Sequence, residues 1–293
     1  MTPVREGIAS QTARGVAVAR STLPRPSWAT GDVDADDRLV AGLFDGLNRD
    51  RAELRARADS GFFGWLRART QFFDAEVIRA LEDGVDQIVV LGAGYDGRAL
   101  RYRTPNVVFF EVDHPATQAD KRSRLHEIDA PVDGIVFVEA DFTEPGLGGR
   151  LQNAGHDARR RSLFVCEGVL RYLPEHWYRE LLRVSAERAA PGSVLAVSVS
   201  TRERAPDDRE RAREQALAES GEAVLTVPPV DIALDWLASA GWTVDSVTDT
   251  SDESTTGTRG RLLVRAHAGG DNEITRRPER CGSSRACRCT GSS

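Results

Sequence analysis

The stretch Gln87-Ile88-Val89-Val90-Leu91-Gly92-Ala93-Gly94-Tyr95-Asp96-Gly97-Arg98 constrains this chain more than any other. A short apolar run empties directly into a glycine-rich turn, as when a buried parallel strand delivers its chain to the mouth of a nucleotide-like pocket. Glycine suits the turn because the backbone bends tightly and a ligand must approach it bare. Gly92, Gly94 and Gly97 also fit the dinucleotide pattern G-x-G-x-x-G. The pattern alone leaves open whether a cofactor binds and which one.

The alternation around that stretch predicts an α/β fold. Strands are expected at 87–91, 107–112, 135–139, 163–166 and 193–199, with helices between them, most clearly at 115–128 and 175–190. Such βαβ units give a parallel sheet covered on both faces. A further helix is expected at 231–240. Segments 242–248 and 261–267 then read as an antiparallel pair at the sheet edge.

Residues 1–84 read as a helical cap region, with helices at 8–20, from the acidic start at Asp34, Asp36 and Asp37, at 48–57 capped by Asn48, and from Ser60 to a stop at Gly84. Residues 85–268 form the core, and 201–222 is a charged insertion, a candidate lid. Residues 269–293 lack apolar periodicity and are expected to be disordered.

Composition narrows the function classes. A net charge of −6 gives no electrostatic reason to hold nucleic acid. No apolar run approaches the ~20 residues of a membrane span, and no signal-peptide pattern opens the chain, so a cytoplasmic location is expected. Cys166 falls in a core strand. Cys281, Cys287 and Cys289 lack the spacing of a zinc site, and no metal-ligating set is expected.

Ligands of an open parallel sheet bind outside the carboxyl ends of its strands. After the second strand stands Asp113, 21 positions beyond Gly92, suited to ribose hydroxyls. After the third come Asp141 and Phe142, a carboxylate for an adenine amino group beside a ring to pack on the base. After the fourth comes Glu167. Together with the glycine turn they indicate an adenosine cofactor, either NAD(P) or S-adenosylmethionine. The Tyr-x-x-x-Lys pair of one dehydrogenase group is impossible here, because the only lysine, Lys121, has Thr117 four residues before it. Carboxylates after the third and fourth strands suit a cationic adenosyl sulfonium better than a dinucleotide. Methyl transfer is therefore the expected chemistry, with an NAD(P)-dependent oxidoreductase and a non-catalytic adenosine-binding protein as alternatives.

The chain resembles the leucine carboxyl methyltransferase family, in its bacterial branch of S-adenosylmethionine-dependent O-methyltransferases. The matching stretches are Ala68-Arg69-Thr70-Gln71-Phe72-Phe73-Asp74, the glycine turn through Arg98, Phe110-Glu111-Val112-Asp113-His114-Pro115, Ala140-Asp141-Phe142 and Cys166 to Pro174, with Ser10-Gln11-Thr12-Ala13-Arg14 near the start. The resemblance implies a class I methyltransferase with a Rossmann-like, seven-stranded, mostly parallel sheet under an N-terminal helical region and an inserted lid. By motif position it implies cofactor contacts from Arg69 to the carboxylate of S-adenosylmethionine, Gly92 and Gly94 to its amino-acid part, Asp113 to the ribose, Asp141 and Phe142 to the adenine, and Glu167 to the amine. Phe142 stands where the family often has leucine. Tyr172 and Arg171 are candidates to orient a small-molecule or peptide acceptor. A carboxylate acceptor is already ionised at neutral pH and needs no base. A hydroxyl acceptor would need one, for which His114 and His176 are the candidates.

Overall fold

A computed structural model of the chain describes residues 10–44, 61–206, 208–219, 223–251 and 259–269. The expected helix at 48–57, the Ser60 cap and the three C-terminal cysteines lie outside these residues.

Among the described residues, three helices precede the sheet: α1 (Gln11–Arg20), α2 (Val33–Phe44) and α3 (Gly61–Glu82). Ser10 caps α1, its Oγ accepting from Ala13 N at 3.0 Å. α2 starts where Asp34 and Asp36 meet the positive helix end. α3 stops at Gly84, whose φ of +70° is the left-handed conformation that ends helices without a Cβ penalty.

The core alternates β1 (Gln87–Leu91), α4 (Arg98–Arg101), β2 (Val108–Asp113), α5 (Pro115–Glu127), β3 (Ile135–Glu139), α6 (Leu147–Asn153), β4 (Ser162–Cys166), a 3-10 turn (Leu170–Tyr172), α7 (Glu175–Glu187) and β5 (Val194–Arg202). α8 (Asp208–Glu219), α9 (Val230–Ser239), β6 (Trp242–Asp249) and β7 (Arg259–Ala268) complete it. The strand order is β3-β2-β1-β4-β5-β7-β6. β3, β2, β1, β4 and β5 run parallel, and β7 is antiparallel to both neighbours.

The continuous apolar strands follow from coverage on both faces. Val89, Leu91, Phe110, Val112, Phe164 and Val197 pack toward Tyr178, Leu181 and Leu182 of α7. Their alternates Ile88, Val90, Phe109, Leu163 and Val165 pack toward Phe73, Val77 and Ala80 of α3.

Segments 242–248 and 261–267 pair antiparallel at the sheet edge, as the sequence predicts, and the fold adds their order: β6 is the outer strand and β7 lies between β5 and β6. β7 buries Leu262, Leu263, Val264 and Ala266, so both of its faces are covered, whereas β6 is largely exposed beyond Trp242. α6 and the 3-10 turn have no sequence expectation behind them, being too short to show periodicity.

One packing feature carries a pH dependence. His156 lies against the rings of Phe110 and Phe164. Its Nδ1 faces the Arg188 guanidinium at 3.1 Å, and its Nε2 faces Ser162 Oγ at 3.0 Å. A guanidinium can only donate, so Nδ1 accepts, and the neutral ring donates from Nε2. Burial and then Arg188 push its pKa down to about 4. The unfolded chain, with its histidine near 6.5, binds the extra proton first, so stability falls as pH drops from about 6.5 toward 4. Replacing His156 by glutamine is expected to flatten the unfolding midpoint across that window. A midpoint that falls equally in both proteins would trace the effect elsewhere.

Candidate active site

Strand register brings the candidate residues to one rim. Leu91 pairs with Val112 on one side and Cys166 on the other, so Gly92, Asp113 and Glu167 leave the sheet at the same level. Asp113 pairs with Glu139, which sets Asp141 two residues beyond that level. The crevice opens between β1 and β4, where the chain order reverses, the position at which open α/β sheets bind ligands.

The glycine turn is bare by necessity. Gly92 has φ +72°, and a Cβ there would fall 2.2 Å from Val169 Cγ2. Gly94 has φ +50°, and its Cβ would lie 2.9 Å from the Ala13 methyl of α1, which crosses the turn. Gly97 serves another purpose: a Cβ would overlap the Asp36 carboxylate. Its match to the dinucleotide pattern thus reflects a contact with α2.

Asp113 is tied to the turn, accepting from Gly94 N at 2.5 Å and His114 N at 2.6 Å. Burial pushes its pKa up despite these bonds. Each carboxylate oxygen keeps a lone pair for a ligand hydroxyl. Asp113→Ala is expected to weaken S-adenosylhomocysteine binding roughly tenfold or more, since a charged hydrogen bond contributes ~1.5–3 kcal/mol. Calorimetry checks it, and unchanged affinity would remove the ribose role. His114 caps α5 through Nδ1, with Pro115 at the first helical position.

Asp141 folds back into a turn, its Oδ1 accepting from Thr143 N at 2.8 Å and Thr143 Oγ1 at 2.7 Å. Phe142 is half-buried and shares a narrow cleft with Trp177. His176 is exposed, its ring against Trp177 rather than in the crevice.

Glu167 is the centre of a buried ionic cluster. It pairs with Arg20 at 2.7 Å, Arg98 at 2.7 Å and Arg69 at 2.9 Å. Arg98 also holds Asp74 at 2.7 Å and Asp96 at 2.5 Å. Asp74 pairs with Arg25, which pairs with Asp36, which pairs with Arg101. The cluster joins α1, α2, α3, the glycine turn and the loop after β4. Burial alone would raise the Glu167 carboxyl; Arg20, Arg98 and Arg69 outweigh it and hold it below the usual range.

Counted over these buried residues, five guanidiniums (Arg20, Arg25, Arg69, Arg98, Arg101) face four carboxylates (Asp36, Asp74, Asp96, Glu167), and a fifth, the half-exposed Asp37, reaches Arg101 at 3.5 Å from the rim. The surplus positive charge shows at Arg69. Its burial, opposed by Glu167 and reinforced by Arg20 and Arg98, pulls its pKa down to about 10. Arg69 lies 4.2 Å over the Trp65 ring. A guanidinium so poorly compensated calls for an anion.

Arg171 and Tyr172 lie on the 3-10 turn beside this cluster. The insertion after β5 returns to them: Leu225 N and Thr226 N donate to Arg171 O at 2.8 and 3.2 Å, and Thr226 Oγ1 donates to Leu173 O at 2.6 Å. Arg202 pairs with Glu214 of α8, so the charged segment is anchored next to the crevice.

The sequence reading gave no roles to Arg20, Arg25, Asp36, Asp74, Asp96 or Arg98. A signal existed for two of them. Asp36 sits between the core residues Ala35 and Leu39, and Asp74 between Phe73 and Val77. An acid on the apolar stripe of a helix is buried, and a buried acid needs a cation.

The strand order, the antiparallel β7 inside the sheet and the acidic rim around a glycine turn define a class I methyltransferase. The solved structure of a Thermobifida fusca protein named as a methyltransferase shares the fold, with TM-score 0.54 at 15% identity over 83% of this chain and 97% of that one. The leucine carboxyl methyltransferase model matches residues 33–186, more than half the chain. The chain belongs to that family. A Mycobacterium sp. (strain JLS) relative is 32% identical over 76% of this chain and 73% of its own length. A Streptomyces avermitilis relative is 36% identical over 69% of this chain and 70% of its own. Both carry names for S-adenosyl-L-methionine-dependent methyl transfer. Methyl transfer, rather than the dinucleotide alternative, is the chemistry of this fold and family.

Proposed function

We propose that this methyltransferase, using S-adenosyl-L-methionine, methylates a carboxylate of a small metabolite, polyketide or peptide. When bound, the cofactor supplies an electrophilic methyl group on a sulfonium. The crevice fits it: a bare glycine turn, acids at three strand ends, and a buried guanidinium short of negative charge. Arg69 would hold the methionine carboxylate, with Arg20 beside it. Gly92 and Gly94 would admit the amino-acid part, Asp113 the ribose, and Asp141 and Phe142 the adenine. Glu167 already has its charge met by three guanidiniums, so it offers an ammonium less than Arg69 offers a carboxylate; its larger part is holding Arg20, Arg69 and Arg98 in place.

One observation carries the choice of a carboxylate. Both histidines considered as bases are committed elsewhere, His114 as a helix cap and His176 at the exposed start of α7. An ionised acceptor needs no proton removed, so the chain has only to orient it and exclude water, which can contribute roughly 7–11 kcal/mol. Tyr172, Arg171 and residues 223–229 beside them would do this.

Supplying methyl-labelled S-adenosylmethionine to the enzyme with a metabolite extract tests the reading. A methyl ester releases labelled methanol in mild alkali. A labelled product stable to alkali would place the methyl on a hydroxyl or nitrogen instead.

A further inference from the structure

One cavity lies away from the crevice above β1. It has a volume of about 190 Å3 and lies between α1, α2 and the start of α4. Of the residues assigned to the cofactor above, only Arg20 lines it, and Gly92, Asp113, Asp141, Phe142 and Glu167 do not.

Its wall has two kinds of surface. Besides the half-exposed Asp37, which pairs with Arg101 at 3.5 Å, Ala17, Val33 and Val40 are apolar, while Arg20, Arg25, Arg101 and Asp36 are charged. The side chains of those four are 4–8% exposed. Asp36 is shared, accepting from Arg25 at 3.0 Å and from Arg101 at 2.6 Å. The Nε of Arg20 is buried without a hydrogen-bond partner among the described residues. Three guanidiniums therefore face two carboxylates, Asp36 and Asp37, across the space. Arg20 and Arg25 also reach Asp96, Glu167 and Asp74 on their far sides, so the donor left over at this wall is the Nε of Arg20.

An empty cavity of this size is stable only when its lining is apolar, and one of about 150 Å3 already admits benzene. A charged lining takes polar contents, three guanidiniums against two carboxylates favour an anion among them, and the apolar side gives a small hydrocarbon body somewhere to pack. Guanidiniums bind carboxylates with matched geometry.

We propose that this cavity is a second binding site, for a small carboxylic acid of about benzoate size. The acid's carboxylate lies on the arginine wall and its apolar body against Ala17, Val33 and Val40. The site is separate from the crevice and does not depend on the assignment of the acceptor.

Benzoate is the probe. Calorimetry on the full chain is expected to show one saturable site that persists when S-adenosylhomocysteine is saturating. Val40→Phe fills the space without touching a charge, and is expected to weaken benzoate roughly tenfold or more while S-adenosylhomocysteine affinity stays within about twofold. Unsaturable binding, loss of benzoate on adding S-adenosylhomocysteine, or equal benzoate affinity in the folded variant would each overturn the proposal. Should Val40→Phe fail to fold, a crystal of the unaltered chain grown with benzoate decides. A ring against Ala17 with its carboxylate on an arginine supports the site, and water alone in the cavity refutes it.

Discussion

Replacing Arg98 by methionine is expected to cost about 3–5 kcal/mol of folding stability, the usual consequence of removing one partner from a buried ionic group. Arg98 is fully buried and is the one cation shared by Asp74, Asp96 and Glu167. Those carboxylates raise its own pKa above the usual range in spite of burial, so the folded chain strongly favours the charged pair. Without it the cluster holds as many carboxylates as guanidiniums, but Asp96 and Asp74 lose their nearest counter-charges. Charge balance over the cluster does not repair a local gap at 2.5–2.7 Å. Thermal unfolding should show a midpoint lower by on the order of 10 °C. A loss below about 1 kcal/mol would mean that water or a shifted arginine replaces the guanidinium, and the cluster would then be less enclosed than its burial implies.

Arg69→Met is expected to do the reverse. The cation removed is one that burial disfavours, with its pKa already pulled down to about 10, so stability should change little. Binding of S-adenosylhomocysteine should weaken about ten- to hundredfold, the equivalent of losing a charge-assisted hydrogen bond of ~1.5–3 kcal/mol. Calorimetry and thermal unfolding on the same preparation separate the two effects. If affinity holds while stability collapses, Arg69 is a structural partner of Glu167, and the ligand carboxylate falls to Arg20. Two arginines on one carboxylate thus have opposite expected behaviour. The difference lies in how many acids each faces.

Much of the frame was legible before any tertiary information. The run from Gln87 to Leu91 and the glycines after it announce a strand and a bare turn because both signals are local. Asp113, Asp141 and Glu167 could be aligned in advance because parallel strands with short connections end on one side of a sheet. The position of β7 could not be read in this way. Alternation says that 259–268 is a strand, but which strands it pairs with depends on which faces are left to cover. The place of His176 also needed the fold, since a ring in the first turn of a helix can face a crevice or solvent, whereas His114 before Pro115 already reads as a helix start.

The sequence by itself determined the strands, the glycine turn and the acids at the rim, because residue spacing and backbone sterics act over a few positions. The tertiary structure alone decided what surrounds Glu167. Arg20 reaches it across 147 residues of chain, Arg98 across 69, and Arg69 comes from a third element. Each of these arginines reads locally as an ordinary charged helix residue. Only their convergence in a buried space turns them into a cluster with more buried guanidiniums than buried carboxylates. That surplus is set by how many opposite charges share a buried volume, a property no local pattern carries.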